Sequence, residues 1–328
     1  MSRLLQMTGV VVDILQKVGR LPVSGEGLTA SAARIGAGGG FNALAAARRA
    51  GACVAYGGML GTGPFADICE AALKAEGTPV LLRRRIAQDQ GFCTVLVERD
   101  AERAYVYTPG AERAAAASDL AALPVADFGW ALLGGYAAPM GEDIFGDWLD
   151  ALPPSVTLMF DPTPLAVIVG RAGVERALRR ADWVSANRRE AQALTGLDPA
   201  LAAEALAQGR RGAVVRDGAR GCWVAFDGAA VAVAGFPVEA VDSAGAGDAH
   251  VGAFVAALME GMAPAAAARF ANAAAAVVVT RLGAATAPLR GEVRATLGDL
   301  VAPKGRVGLL GDVVAETGGD APKMAPRA

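Results

Sequence analysis

The stretch Asp242-Ser243-Ala244-Gly245-Ala246-Gly247-Asp248 runs without a break into the apolar segment AHVGAFVAAL, which ends at Leu258. Its small residues predict a first helical turn whose backbone N–H groups stay bare, which makes an anion site at the positive end of the helix dipole. A carboxylate there would repel an anion. The Asp248 carboxylate is explained if it accepts the proton of a hydroxyl that attacks a phosphate. An ordinary helix N-cap is the alternative interpretation.

A second glycine-rich segment opens another predicted helix nearer the start of the chain. Gly36–Gly40 is typical of a turn, and the following residues, 41–50, are typical of a helix with Asn42 in its first turn. Upstream, the apolar run Leu4–Val12 predicts one buried strand that ends on Asp13. We therefore expect the Asp13 carboxylate and the Asn42 amide to project into one crevice and to bind a polyhydroxylated ligand.

The alternation of predicted strands and helices indicates an α/β fold with a mostly parallel central sheet flanked by helices. Two stretches interrupt the alternation, at about 14–36 and 88–108, and are predicted to form a small β lid. We expect one domain over 1–302. The Gly-, Pro- and charge-containing tail 303–328 is expected to be a poorly ordered extension.

Composition excludes several classes of protein. The 328 residues carry a formal net charge of −2, so no basic surplus favours nucleic acid or an anionic membrane as a partner. The single histidine, His250, makes a His-dependent triad improbable, and we expect it to be a packing residue. Four scattered cysteines and the lack of a signal peptide or a long apolar span predict a cytoplasmic protein.

The sequence resembles the PfkB (ribokinase-like) carbohydrate kinases in four segments. Their two signatures resemble the glycine-rich stretches at 38–52 and 242–258, and the other two segments are Asn187-Arg188-Arg189-Glu190 and VRDGARG at 215–221. The resemblance extends from about residue 4 to residue 300. It implies a ribokinase-like fold, ATP as phosphoryl donor and Mg²⁺ as cofactor, with a small sugar or nucleoside as substrate. It also implies a homodimer formed through the lid.

The resemblance further implies roles for individual residues. Asp248 matches the general base, and Gly245, Ala246 and Gly247 match the anion hole. Asn187 and Glu190 match positions that organise Mg²⁺ through water. The nucleotide-side positions are Arg216, Gly218, Gly221 and Asn272. The sugar-side positions are Asp13, Gly39 and Asn42. A K⁺ site, formed mostly by backbone carbonyls, is implied at Asp242, Ala244, Val278 and Gly283.

The favoured function is thus an ATP-dependent sugar kinase. Three other functions are alternatives to it. A nucleoside kinase of the same fold would also present a ribose hydroxyl. A non-catalytic sugar- or nucleotide-binding regulator would have no need of a base at Asp248. A Rossmann oxidoreductase is disfavoured, because no G-x-G-x-x-G follows the first strand.

Overall fold

The computed structural model describes residues 2–82, 84, 87–98, 103–135, 144–163, 171–283 and 285–299. The strands are β1 Arg3–Gln6, β2 Val10–Lys17, β3 Ala32–Gly39, β4 Cys53–Tyr56, β5 Phe92–Val97, β6 Arg103–Thr108, β7 Trp130–Gly134, β8 Thr157–Asp161, β9 Trp183–Asn187, β10 Gly212–Arg216, β11 Gly221–Phe226 and β12 Ala229–Ala234. The helices are α1 Gly40–Arg49, α2 Pro64–Ala75, α3 Ala117–Ala121, α4 Ile144–Ala151, α5 Arg171–Arg180, α6 Arg188–Thr195, α7 Pro199–Ala207, α8 Ala246–Met259, α9 Pro264–Val279 and α10 Arg290–Asp299.

Eight strands form the larger sheet, in the order β12-β11-β10-β9-β8-β7-β1-β4. The six strands from β10 to β4 are parallel to their neighbours, and β11 and β12 extend the edge as an antiparallel hairpin. Buried parallel strands are apolar on both faces, because side chains alternate along a strand and helices cover each face. The predicted α/β fold with a mostly parallel sheet is confirmed.

The core is divided between the two faces of this sheet. Leu4 and Val214 pack on one face against α1, α8 and α9, where Phe254 and alanine side chains fill the space. Their sequence neighbours Leu5 and Val215 pack on the opposite face against residues of α4 to α7. The small alanines allow close approach of α1, α8 and α9, which brings the first turns of α1 and α8 near each other.

A separate four-stranded sheet has the order β3-β2-β5-β6. The predicted single strand Leu4–Val12 is wrong: the chain leaves the large sheet after Gln6 and starts a new strand at Val10. Asp13 therefore lies within β2, paired with Gly36 and Cys93, and does not end a strand. The predicted glycine turn at 36–40 is also wrong, because β3 continues to Gly39 and passes directly into α1.

Most of the residues at 14–36 and 88–108, for which a lid was predicted, belong to this second sheet or its connections. Helices α3, α7 and α10 were not predicted. Helix α7 is Ala-rich and apolar over most of its surface, so its sequence shows little 3.6-residue periodicity. Residues 303–328 lie outside the described residues. Within the described ranges, none of the helices has the length and apolarity to cross a membrane.

Candidate active site

A cavity of about 940 Å³ is lined by residues of both sheets. Gly134 and Asp161, which end β7 and β8, open onto it, in keeping with ligand binding at the carboxyl ends of strands in open α/β sheets. The predicted site residues that line the cavity are Asp13, Gly39, Asn42, Ala244, Gly245, Asp248 and Gly283. The tertiary structure thus brings together the proposed sugar-side residues and the proposed base.

Asp248 lies in the first turn of α8, and Asn42 lies in the first turns of α1. Asn42 Nδ2 donates a hydrogen bond of 3.3 Å to Asp248 Oδ2. Burial raises the pKa of the Asp248 carboxyl from 3.8 to about 7, and the nearby Asp161 charge adds to the rise, while Arg216 and Asn42 oppose it. A carboxyl that titrates near neutrality is suited to take a proton from an alcohol.

Gly245 caps α8 in the left-handed region, with φ of 71°, a conformation that glycine adopts without strain. The turn directs the start of a 14-residue helix toward the cavity, where Gly245 and Asp248 both line the wall. N–H groups in the first turn of a helix have no intrahelical acceptor. Gly245, Ala246 and Gly247 therefore form a short backbone segment that can solvate an anion beside Asp248.

Asp13 projects from β2 into the cavity, directly over Gly38 of the neighbouring strand. A Cβ at Gly38 would lie 1.9 Å from Asp13 Oδ2, so only glycine leaves room for this carboxylate. Burial raises the pKa of Asp13 to about 6. Asn42 Oδ1 is buried and has no hydrogen-bond partner in the described structure. Both polar groups are therefore available to a hydroxylated ligand.

Arg216, at the end of β10, lies at the centre of a buried polar cluster. Its Nη1 donates to Asp161 Oδ2 and to Ser185 Oγ, both at 2.9 Å, and to the Gly247 carbonyl at 3.4 Å. Its Nη2 lies 3.5 Å from Glu190 Oε2. The guanidinium, 12% exposed, thus ties three parallel strands to the first turn of α8. Asp161 also accepts from the Thr163 backbone N–H, so it caps a turn as well as pairing with Arg216.

Asn187 and Glu190 form a capping box at the start of α6. Glu190 N donates to Asn187 Oδ1 at 2.9 Å, and Glu190 accepts from Asn187 N at 2.7 Å and from Nδ2 at 2.6 Å. Burial raises the pKa of Glu190, with a further contribution from the Asp161 charge. The pair therefore has a structural role in starting α6, in addition to any role with a cation.

Gly218 and Gly221 shape the turn between β10 and β11. Both have positive φ, and a Cβ at Gly221 would lie 2.1 Å from the Val233 carbonyl oxygen. Asp217 fixes the same turn by accepting from Arg188 and Arg220, and these hydrogen bonds hold the pKa of its carboxyl well below the usual value. Hydrogen bonds within the chain thus hold the conformation of the turn.

Asn272 is buried in α9, where Nδ2 donates to the carbonyls of Val233 at 3.0 Å and Ala234 at 3.2 Å. It joins α9 to the end of β12, and its predicted place near a nucleotide stays a prediction.

His250 is 2% exposed and stacks on Phe254. Burial lowers the pKa of His250 to about 3, so the ring is neutral, and the packing interpretation is confirmed.

Of the predicted K⁺ positions, Asp242 is 5% exposed and accepts from Ala244 N at 2.8 Å and Gly283 N at 2.9 Å. Val278 lies wholly buried within α9.

The structure also places Arg103 and Ser185 at the candidate site, two residues that the sequence analysis missed. For Arg103 a signal exists: Arg103, Tyr105 and Tyr107 alternate along β6, and all three line the cavity.

Comparison with known proteins shows which family this chain resembles. A family model described as pfkB family carbohydrate kinase matches residues 8–290. An uncharacterized sugar kinase of Escherichia coli (strain K12), YegV, is 31% identical over 293 residues, which cover 86% of this chain and 90% of the relative. Ribokinase of Haemophilus influenzae is 29% identical over 274 residues, 79% of this chain and 86% of the relative.

Solved structures give the same result for the fold. Ribokinase of Thermotoga maritima superposes with a TM-score of 0.78 at 25% identity, over 91% of this chain and all of the other. Arabidopsis thaliana ribokinase, solved with ribose and ATP, gives 0.77 at 25% identity, over 90% and 98% of the two chains. Burkholderia thailandensis nucleoside kinase, solved with inosine, gives 0.76 at 20% identity over 92% and 97%, which shows the shared fold alone.

The two sheets and the helices that flank the larger one form a ribokinase fold, the fold of the solved kinases above. The match over most of the length places the chain more narrowly: it belongs to the pfkB family of carbohydrate kinases. The resemblance found in the sequence is confirmed.

Proposed function

We propose that this protein transfers the γ-phosphoryl group of ATP to a hydroxyl of a small sugar. The observation that carries the proposal is the meeting of Asp248, Asn42 and Asp13 at one cavity, with the first turn of α8 beside them. Phosphoryl transfer needs positioning and charge stabilisation more than covalent help, and these groups supply both.

In the proposed reaction Asp248 accepts the proton of the attacking hydroxyl. The hydroxyl oxygen bonds to the γ-phosphorus as the bond from that phosphorus to the β,γ-bridging oxygen breaks, and ADP leaves. The N–H groups of Gly245, Ala246 and Gly247 stabilise the negative charge on the transferred group. Asp13, Gly39 and Asn42 orient the sugar. The pKa of about 7 at Asp248 makes the base effective near neutral pH.

The nucleotide would bind beside this cavity, with Arg216, Gly218, Gly221 and Asn272 on its side. Mg²⁺ fits the charge of the region, because three carboxylates, Asp161, Glu190 and Asp248, surround the single guanidinium of Arg216. The Glu190 oxygens already accept from Asn187, yet each keeps a lone pair for a water. Glu190 and Asn187 would hold a hydrated Mg²⁺, whose bound form neutralises the phosphate charge.

We further propose one kinase domain over 1–302, with the second sheet as lid. The outer residues Ile35 and Val106 of that sheet are 58% and 61% exposed, which favours a homodimer through the lid.

A nucleoside kinase is the second candidate. Tyr105 and Tyr107 line the cavity and offer aromatic faces on which a base could stack. A non-catalytic regulator is less well supported, because a binder gains nothing from a desolvated carboxyl in the cavity wall.

The test is a product assay with ATP and Mg²⁺ over pentoses, hexoses, sugar acids, phosphorylated sugars and nucleosides. A phosphorylated sugar that wild type forms, and Asp248→Asn does not, is the expected result. Phosphorylation of nucleosides alone would replace the sugar proposal by the second candidate. If the wild type phosphorylates no member of the set while ATP binds in calorimetry, the regulator becomes the better interpretation.

A further inference from the structure

A buried carboxylate precedes the proposed anion hole and accepts hydrogen bonds from three donors of this chain. Asp242 Oδ1 accepts from the Ala244 backbone N–H and from Arg103, and Oδ2 accepts from the Gly283 backbone N–H. Ala244 leads directly into Gly245, so the conformation of the anion-hole loop depends on this carboxylate and on the charge that faces it.

The positive charge at Asp242 comes from the second sheet. Arg103 is the first residue of β6, its side chain is 10% exposed, and its Nη1 also lies 3.3 Å from Ser243 Oγ. A guanidinium in this position bridges strand β6 and the loop before α8, and the two residues, Arg103 and Asp242, are 139 positions apart in sequence. Its Nε is buried without a partner, so the group is held by its contacts to Asp242 and Ser243.

The K⁺ site implied by family resemblance does not fit these residues. K⁺ is a hard cation that needs oxygen lone pairs, and here Gly283 presents an N–H to the same carboxylate. The Val278 carbonyl accepts from the Arg281 backbone N–H at 2.9 Å. A second lid arginine, Arg34, donates to the neighbouring Leu282 carbonyl at 3.1 Å. With both guanidinium groups in place a cation would be repelled here, and only removal of the Arg103 charge would lessen that repulsion.

We propose that Arg103 takes the place of a monovalent cation, so that the kinase works without K⁺. Arg103 is a positioning residue: it neutralises Asp242 and thereby fixes the loop that carries Gly245–Gly247. Because Arg103 belongs to β6, the charge reaches the loop only when the second sheet lies over the cavity. The proposal rests on the proposed kinase function for its activity readout, but its cation readout needs no substrate.

The experiment compares wild type with Arg103→Ala and Arg103→Gln in KCl and in choline chloride of equal ionic strength. The melting temperature of the full-length protein is measured in both salts, and product formation is followed directly by chromatography, since a coupling enzyme can itself respond to K⁺. Arg20→Ala is the matched control, because Arg20 pairs with Glu26 in an exposed segment that connects two lid strands.

We expect wild type and Arg20→Ala to show the same melting temperature and turnover in both salts. Loss of a hydrogen-bonded charge from a buried carboxylate should lower the turnover of Arg103→Ala in choline about ten- to a hundredfold. K⁺ should restore part of that turnover and raise the melting temperature of the two Arg103 variants, which choline cannot do. Arg103→Gln keeps most of the side-chain volume, so it serves if the alanine variant does not fold.

A wild type that K⁺ specifically stabilises or activates would overturn the proposal. So would Arg103 variants that equal wild type in choline, or that are impaired and indifferent to K⁺. Failure of the wild type to phosphorylate any tested substrate would count against the proposed function alone, because the melting temperatures would still decide whether Arg103 replaces the cation.

Discussion

Replacing Asp248 by Asn should raise the stability of the protein while abolishing its proposed activity. Burial raises the pKa of this carboxyl from 3.8 to about 7, which means that the folded state disfavours the charged form. A difference of about 3 pKa units corresponds to roughly 4 kcal/mol, at about 1.4 kcal/mol per unit. This figure is an upper bound, because part of the carboxylate faces the cavity and its water.

The sign of the pH dependence follows from the same shift. Because the pKa is raised, the folded state binds the Asp248 proton more tightly than the unfolded state does. Protonation therefore contributes to stability below pH 3.8, and this contribution is lost as the pH rises to about 7. Asn stays neutral throughout. We therefore expect no difference in stability near pH 3.5, and a growing advantage of Asp248→Asn up to neutral pH, worth about 2–4 kcal/mol or roughly 3–6 °C in melting temperature.

The assay is thermal unfolding of wild type and Asp248→Asn at several pH values, with Asp127→Asn, which removes an exposed carboxylate, as the control. In parallel, kcat of the variant should fall by roughly 10²–10⁴ and wild-type kcat/KM should rise with pH to a plateau above about pH 7. A variant less stable than wild type at pH 8, or one with near-normal turnover, would refute the assignment of Asp248 as a desolvated base.

Other predictions concern the sugar side and the cation. Asp13→Ala should raise the sugar KM by roughly ten- to a hundredfold, because a buried polar partner of the sugar is lost, and an unchanged KM in a stable variant would contradict it. Gly38→Ala should raise the same KM, since its Cβ would lie 1.9 Å from Asp13 Oδ2, whereas Gly27→Ala, outside the cavity lining and with no atom within 4 Å of the added Cβ, should not. Glu190→Gln should raise the Mg²⁺ concentration that gives half-maximal activity more than it changes sugar KM. An unchanged Mg²⁺ titration would leave Glu190 with its capping role alone.

Much of the local architecture is legible in the sequence. The small residues at 242–248 followed by an apolar run predicted the start of a helix there, and α8 begins at Ala246. The same local pattern singled out Asp248 and Asn42, because each stands in the first turn of a helix whose N-cap is a glycine. Such features are encoded within a few residues by backbone freedom, N–H groups without intrahelical acceptors and side-chain periodicity.

Pairings between distant segments were decided only in the tertiary structure. The sequence placed Asp13 at a strand end, whereas register puts it inside β2 against Gly36 and Cys93, because the chain changes sheets between Gln6 and Val10. An apolar run contains no local mark of where one sheet ends and another begins. Likewise, the alternation of Arg103, Tyr105 and Tyr107 indicates a shared strand face, but it does not identify Asp242 as the partner of Arg103. Strand order and sheet packing create that contact, and they depend on burial of apolar surface over the whole chain.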